Sequence, residues 1–172
     1  MIRILYQILR TGIRTEQLPE LDTAKIRVLG AEMQEVIRNH FNGSLTVRQI
    51  DAGSCNGCEI EIHAMNNVFY NCERFGIHFA ASPRFADMLL VTGPVAHNMG
   101  IALKRTYDST PSPKLVVAVG DCGFNGGIFG KSYASCGGVH EVIPVDAVIP
   151  GCPPTPIELL SGILKLLRLR IP

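Results

Sequence analysis

The stretch Leu115-Val116-Val117-Ala118-Val119-Gly120-Asp121-Cys122-Gly123 joins five consecutive apolar residues to a glycine-rich turn that carries a cysteine. A short aliphatic run that stops at glycine is typical of a strand buried on both faces, and such strands belong to parallel sheets. Four further short apolar runs occur in the chain, at Leu45–Ile50, Ile77–Ala81, Met88–Val91 and Val142–Val145. The sequence therefore predicts a sheet built from five short strands.

Segments that favour helix lie between or after these runs, at Glu59–Tyr70, Val95–Tyr107 and Pro156–Leu167. Strands that alternate with helices indicate parallel pairing, because each crossover has to return to the same end of the sheet. We therefore predict an α/β fold of the flavodoxin-like kind, with a mostly parallel sheet and flanking helices.

The first 44 residues lack this alternation and predict two helices. One helix carries an apolar stripe and a polar face, with Ile2, Leu5, Tyr6, Leu9 and Ile13 on the first and Arg3, Gln7, Arg10 and Arg14 on the second. A basic amphipathic helix of this kind lies on a membrane surface, docks on a partner or packs on its own domain. The other helix runs from about Asp22 to Phe41. We predict a helical docking extension over residues 1–44 and an α/β domain over residues 45–172.

Composition excludes several classes of protein. Hydrophobic residues make up 47% of the chain and charged residues 18%, with a net charge of +1. This balance argues against a disordered chain and against a nucleic-acid partner, which selects for a basic excess. No apolar run approaches the ~20 residues that span a bilayer, and arginines interrupt the N-terminal apolar residues, unlike a signal peptide. We therefore expect a peripheral protein on the cytoplasmic side, whose six cysteines serve metal binding or burial rather than disulfides.

Three of the predicted strands end in glycine-rich loops that contain cysteine. Parallel strands present their carboxyl ends at one edge of a sheet, where ligands gather, so four thiols should meet there: Cys55, Cys58, Cys122 and Cys152. Four thiolates suit an iron–sulfur cluster or a zinc ion. Of the two remaining cysteines, Cys72 is interpreted as a buried apolar residue, and Cys136 lies in a loop from which it could replace one of the four.

The stretch Asp51–Leu167 resembles the small subunit of energy-converting nickel–iron hydrogenases, of the formate hydrogenlyase and CO-induced kind, and the homologous twenty-kilodalton subunit of complex I. The resemblance rests on four motifs, Ser54-Cys55-Asn56-Gly57-Cys58-Glu59-Ile60-Glu61, Ser82-Pro83-Arg84, Gly120-Asp121-Cys122-Gly123 with Gly126-Gly127-Ile128, and Gly151-Cys152-Pro153-Pro154. It implies one [4Fe–4S] cluster on Cys55, Cys58, Cys122 and Cys152. The complex I branch has adjacent cysteines in the first motif, so the separation of Cys55 from Cys58 favours the hydrogenase branch.

The resemblance also implies an electron-transfer role within a larger complex. The expected partners are a large nickel–iron or quinone-site subunit, a ferredoxin-like iron–sulfur subunit and membrane subunits. Two alternatives stay open, a complex I-type subunit that delivers electrons to quinone and a structural zinc module that only scaffolds a complex.

Three further residues are candidates near the cysteines. Arg84 is either a cation that offsets the negative charge of a cluster or an ordinary surface arginine. Glu59 and Glu61 follow the second cysteine, where a carboxylate either relays protons or stabilises the start of a helix. The sequence alone leaves both alternatives open.

Overall fold

The computed structural model describes residues 2–12 and 23–170. Its five strands pair in parallel throughout, in the order β2-β1-β3-β4-β5. This order is that of flavodoxin-like sheets, so the predicted fold class is confirmed. The strands are β1 (Leu45–Asp51), β2 (Ile77–Phe79), β3 (Met88–Thr92), β4 (Leu115–Val119) and β5 (Ala147–Ile149).

Six α-helices lie in the described part of the chain. They are α1 (Ile2–Thr11), α2 (Thr23–His40), α3 (Gly57–Ala64), α4 (His97–Ser109), α5 (Gly120–Asn125) and α6 (Pro156–Arg170). Single turns of 3-10 helix occur at Cys72–Phe75, Pro83–Phe85 and Val139–Glu141. None of the helices in residues 2–12 and 23–170 combines the length and the apolarity that crossing a bilayer requires.

Two apolar layers cover the sheet, one on each face. Alternate strand residues point to opposite faces, so Leu90 packs with Leu160 of α6 on one face while Leu89 packs with Leu103 of α4 on the other. Both faces are therefore buried, which explains why β3 has four consecutive apolar residues before Thr92 and why all five of its residues are buried.

Helix α2 belongs to the first of these layers. Its Met33 and Ile37 are fully buried in the same cluster as α6, and Arg168 of α6 forms an ion pair with Glu32 of α2 at 3.0 Å. By contrast, α1 contributes no buried residue. The proposed boundary near residue 44 stays a prediction, and Ile13, Arg14 and Asp22, which were assigned to the first two helices, lie outside the described residues.

The position of the last strand was predicted wrongly. The run Val142–Val145 is not a strand, and β5 lies at Ala147–Ile149. Val142 instead ends the 3-10 helix Val139–Glu141, and Pro144 has no N–H to donate to a sheet. Contact with β4 begins at Asp146, whose backbone N–H donates to the Val116 carbonyl at 2.8 Å.

The helix predicted at Glu59–Tyr70 also ends earlier than expected, at Ala64. The side-chain oxygen of Asn67 accepts hydrogen bonds from the backbone N–H groups of Phe69 and Tyr70, at 2.9 and 3.0 Å. Asparagine competes in this way with the helical hydrogen bonds and favours a turn. The chain therefore leaves α3 through turns rather than through a longer helix.

Candidate metal centre

Three loops at the carboxyl edge of the sheet carry the four predicted ligands. Cys55 lies in the loop after β1, and Cys58 in the first turn of α3. Cys122 lies in α5, which begins directly after β4, and Cys152 lies in the loop between β5 and α6. We call the surface formed by Cys55, Cys58, Cys122 and Cys152 the cysteine edge. Cys58 and Cys122 are half-buried there, whereas Cys55 and Cys152 are exposed.

Aspartates hold the loops in place. Oδ1 of Asp51 accepts hydrogen bonds from the N–H groups of Gly53 and Ser54, both at 2.8 Å, which fixes the turn before Cys55. Asp121 joins two loops, because its backbone N–H donates to the Gly151 carbonyl and its Oδ1 accepts from the Gly151 N–H, each at 2.9 Å. The loops of Cys122 and Cys152 are therefore bonded to each other through backbone and side chain.

Two glycines bring the backbone against the sulfur atoms. A Cβ atom on Gly120 would lie 2.7 Å from Sγ of Cys58, and one on Gly127 would lie 2.6 Å from Sγ of Cys122. Both distances are far below van der Waals contact, and both glycines have positive φ angles, of 79° and 55°. Only glycine fits such positions without strain. The backbone thus forms a close-fitting cradle around these two thiols.

The thiols also lie near enough to influence one another. Burial, followed by the negative charges of Glu59, Cys55, Cys122 and Cys152 in that order, raises the pKa of the Cys58 thiol to about 12. Burial likewise raises the pKa of Cys122, followed by the charges of Cys152 and Cys55. All four predicted ligands therefore belong to one electrostatic group, in which metal binding would have to release the thiol protons.

The donor set and its surroundings fit an iron–sulfur group. Soft thiolates are the ligands that such clusters use, and a glycine-lined backbone lets amide groups approach the sulfur atoms. Residues 2–12 and 23–170 contain no set of three or more histidine, cysteine or acidic side chains already arranged around a single metal position. The ligand assignment itself stays a prediction.

Glu59 is buried beside Cys58, with only 5% of its surface exposed. Its Oε1 accepts a hydrogen bond from the Ser54 hydroxyl at 2.6 Å, while Oε2 is buried without a partner. The hydrogen bond between Ser54 and Glu59 was not predicted from the sequence. Its signal there is a serine and a glutamate five residues apart, on either side of Cys55 and Cys58. Glu61 is half-buried, and its side chain makes no hydrogen bond or ion pair within the described residues.

Arg84 lies away from the carboxyl ends of the strands. It belongs to the 3-10 turn Pro83–Phe85, in a segment that bonds to the first half of β1 through Ala80 N–H to Val47 and Asp87 N–H to Thr46. About four strand residues, or roughly 13 Å, separate that level from the end of β1. The Arg84 side chain is exposed and has no ion pair in the described residues. Its influence on the cysteine edge stays a prediction.

The two remaining cysteines differ from each other. Cys72 is fully buried, as predicted, and its thiol donates to Oδ1 of Asn66 at 2.8 Å. Sγ of Cys136 lies 3.1 Å from Nδ1 of His97, at the start of α4. Neither Cys72 nor Cys136 contributes to the raised pKa of Cys58.

Residues 55–166 match the family described as the NADH ubiquinone oxidoreductase 20 Kd subunit. The chain belongs to this family. The match begins at Cys55 and includes all four predicted ligands, and it confirms the family resemblance of the cysteine motifs. Relatives in the family are subunits of oxidoreductases, so the prediction of an oxidoreductase subunit is confirmed at that level.

Three relatives show the breadth of the family. The chain is 44% identical over 139 residues to formate hydrogenlyase subunit 7 of Escherichia coli, covering 81% of this chain and 54% of the relative. It is 45% identical over 122 residues to the probable membrane-bound hydrogenase subunit mbhJ of Pyrococcus furiosus, covering 71% and 73%. It is 49% identical over 118 residues to an NADH-quinone oxidoreductase subunit of Phocaeicola vulgatus, covering 68% and 59%. The chain thus spans little more than half the length of the first and the third.

A solved structure extends the similarity to an assembled complex. The chain superposes on a chain of the membrane-bound sulfane sulfur reductase, an archaeal respiratory membrane complex, with a TM-score of 0.65 and 34% identity, covering 84% of this chain and 75% of that one. The named relatives and this neighbour belong to multi-subunit redox assemblies, two of which are described as membrane-bound.

Exposed apolar side chains follow Cys122 along the chain. Ile128 is 92% exposed, Tyr133 99%, Phe129 54% and Phe124 50%. We call residues 124–133 the apolar loop. Large apolar residues that cluster on a surface mark places where another molecule binds. Phe129 of the apolar loop lines the same cleft as Cys55, so a partner that covers the loop would also lie over this part of the cysteine edge.

Proposed function

We propose that this chain carries one [4Fe–4S] cluster on Cys55, Cys58, Cys122 and Cys152 and passes electrons between a ferredoxin-like subunit and a large catalytic subunit. The observation that supports this most strongly is the placement of the four cysteines after three strands at one edge of the sheet, with glycine backbone packed against two of the sulfurs. Family membership supports an electron-transfer role independently, since the match spans these same loops.

Different residues of the chain would hold the cluster, approach its sulfur ligands and exclude water from it. Four thiolates would hold the cluster, and Gly120 and Gly127 let backbone approach two of those sulfurs. The apolar loop would exclude water once a partner covers it, and water exclusion protects a cluster and influences its potential. When bound, a [4Fe–4S] cluster supplies one-electron redox chemistry, while the protein supplies position and electrostatics.

We assign the partner complex to the membrane-bound hydrogenase type, attached peripherally on the cytoplasmic side. Two residues separate Cys55 from Cys58, unlike the adjacent cysteines of the complex I branch. Relatives named as a formate hydrogenlyase subunit and a membrane-bound hydrogenase subunit support the same assignment. The large subunit would then contribute the nickel–iron centre, because this chain offers no second set of ligands in its sequence.

A complex I-type role is the second candidate, in which electrons pass to quinone. The 49% identity to an NADH-quinone oxidoreductase subunit favours it. Co-purified with its large subunit, the chain should support hydrogen turnover with a low-potential dye under the first assignment. Reduction of a quinone analogue without hydrogen turnover would favour the second.

Replacement of each cysteine by alanine tests the ligand set. Cys55→Ala, Cys58→Ala, Cys122→Ala and Cys152→Ala should each lose most of the bound iron and the broad visible absorption, because the cubane uses four protein ligands. Cys72→Ala and Cys136→Ala are the matched controls and should retain both. Full iron content in any of the first four variants would overturn the assignment, and a colourless protein that contains zinc would indicate the scaffold module instead.

The isolated chain should transfer electrons without turning over hydrogen. After reconstitution it should accept and release one electron per cluster, as measured by redox titration with electron paramagnetic resonance. Hydrogen evolution or oxidation should appear only when the large subunit is added. Hydrogen turnover by the chain alone would identify it as a complete enzyme.

A further inference from the structure

Helix α1 separates its apolar and polar residues completely. At about 3.6 residues per turn, its six large apolar residues cover an arc of about 200°, and its polar residues fill the rest. The apolar residues are Ile2, Ile4, Leu5, Tyr6, Ile8 and Leu9. Each of them is at least 57% exposed, and α1 contributes nothing to the core. An apolar face of this width has to be covered by something outside the described chain.

The charges of α1 show what kind of surface would cover it. Arg3 and Arg10 fall on neighbouring positions of the helix wheel, at the border of the apolar arc next to Tyr6. No acidic residue precedes Glu16, so this end of the chain is purely cationic. Arginine beside an aromatic residue at the edge of an apolar face suits the boundary between anionic headgroups and acyl chains.

The length of α1 determines how it would meet a bilayer. Its ten residues extend about 15 Å, half of the hydrocarbon thickness. It could therefore lie in the interface but not cross it. A helix that docks in a protein groove uses a narrow stripe at positions i, i+3, i+4 and i+7, and the additional Ile4 and Ile8 widen the face of α1 beyond such a stripe.

We infer that α1 binds the surface of an anionic lipid bilayer, with its apolar arc below the headgroups and Arg3 and Arg10 at the phosphates. This inference is independent of the cluster, because it concerns residues outside the 55–166 family match. The membrane-bound assemblies among the relatives agree with a helix of this kind.

The absence of tryptophan from the chain permits a direct test. Tyr6→Trp places the single tryptophan of the purified full chain at the border of the apolar arc, where it can be excited selectively over the remaining tyrosines. Its emission should shift to the blue when vesicles of phosphatidylcholine with phosphatidylglycerol are added, and much less with phosphatidylcholine alone. Adding Arg3→Gln and Arg10→Gln should weaken binding to the anionic vesicles roughly 30-fold, as expected for two basic residues near an anionic surface.

Control variants distinguish binding through α1 from nonspecific electrostatic attraction of the whole chain to anionic vesicles. Lys104→Gln with Arg105→Gln removes the same charge from exposed positions of α4 and should leave binding unchanged. Leu5→Glu with Leu9→Glu should abolish binding to both kinds of vesicle. Three results would overturn the inference. They are equal binding to both kinds of vesicle, no emission shift with either kind, and equal losses of binding in the α1 and α4 charge variants. Blue-shifted emission without vesicles that rises with protein concentration would overturn it too and assign the face to a second copy of the chain. Iron content, measured in the same samples, tests the cluster separately.

Discussion

Ser54 and Glu59 are joined by a hydrogen bond of 2.6 Å from the serine hydroxyl to Oε1 of the carboxylate. The bond links the loop of Cys55 to the helix that carries Cys58, and the same hydroxyl accepts from the Asn56 N–H at 3.1 Å. One side chain therefore sets the spacing of two predicted ligands. Because Glu59 is almost completely buried, the loss of this bond would leave a carboxylate without a partner.

Ser54→Ala should lower the free energy of unfolding by about 2 kcal/mol, the usual cost of leaving a buried polar group unsatisfied. Urea titration of the purified chain measures this loss. Ser161→Ala, a half-buried serine in α6, is the control and should change stability by less than about 0.5 kcal/mol. Equal effects of the two substitutions would show that the Ser54–Glu59 bond does not stabilise the chain.

Gly120→Ala should reduce bound iron as well as stability. The added Cβ would lie 2.7 Å from Sγ of Cys58, so either the sulfur or the loop has to move. Gly43→Ala is a close match, since Gly43 also has a positive φ, of 90°, but has no atom within 4 Å of the added Cβ. Both variants should lose about 1–3 kcal/mol from backbone strain. Only Gly120→Ala should lower the iron content per chain. Full iron content in this variant would contradict the close fit of the backbone around the Cys58 sulfur.

Arg84→Met should leave iron content near normal and lower the cluster potential, because a positive charge that favours the reduced state is removed. The side chain is exposed and solvent screens it. We therefore expect a shift below about 59 mV, which corresponds to a tenfold change for one electron. A redox titration measures it, with Arg105→Met as the control. An upward shift, or none, would remove Arg84 from the set of residues that influence the cluster.

Without metal, the chain should become less stable as the pH rises above 9. Burial raises the pKa of Cys72 from 9.0 to about 11 and that of Cys58 to about 12. Below pH 9 these thiols are protonated in both states, so their contribution to stability is fully present. Above it the unfolded chain ionises first, and stability is lost until the folded thiols ionise as well.

Urea midpoints of the metal-free chain at pH 7 and pH 10 test this dependence under reducing conditions. Cys72→Ala should show a smaller decrease than the native sequence, because one raised thiol is gone. A decrease of the same size in Cys72→Ala would show that ionisation of Cys72 does not cause the loss of stability at high pH.

Ile128→Ser with Phe129→Ser should weaken assembly with the large subunit while the cluster is retained. Both side chains are exposed in the apolar loop, and burying large apolar side chains at an interface stabilises it by ~1.5–3 kcal/mol each. Co-purification and iron analysis measure the two effects. Val68→Ser, at a position that is 97% exposed, is the control. Unchanged co-purification would show that the partner binds another surface.

Much of the fold could be predicted because β3 and β4 carry nearly continuous apolar runs and β1 has apolar residues at Leu45, Val47 and Ile50. β1, β3 and β4 are within one residue of their predicted bounds, and their loops follow from the glycines after them. β5 could not be predicted because Val142–Val145 is more β-branched than the strand itself. The apolar residues of Val142–Val145 pack in the core instead, since Ile143 is buried in the same layer as α4. Sequence pattern alone does not distinguish these two uses of apolar residues.

The meeting of the four cysteines at one edge of the sheet could be predicted from the sequence, but the contacts that support their loops could not. Cysteine after a strand end is a local signal, whereas the Asp121–Gly151 bonds connect residues 30 positions apart. The close approach of Gly120 to Cys58 likewise depends on how two loops meet. Such contacts arise from the twist and spacing of neighbouring strands, which the sequence of either loop alone does not encode.

The difference in solvent exposure among the four cysteines has a consequence for the order in which cluster insertion and assembly with the large subunit take place. Cys55 and Cys152 are open to solvent, while Cys58 and Cys122 lie deeper. On the proposed ligand set, a scaffold protein can deliver iron and sulfide only from the side of the two open thiols. The large subunit would cover that same side through the apolar loop. Maturation of the cluster would then have to precede docking, and a chain that met its partner too early would remain permanently without metal.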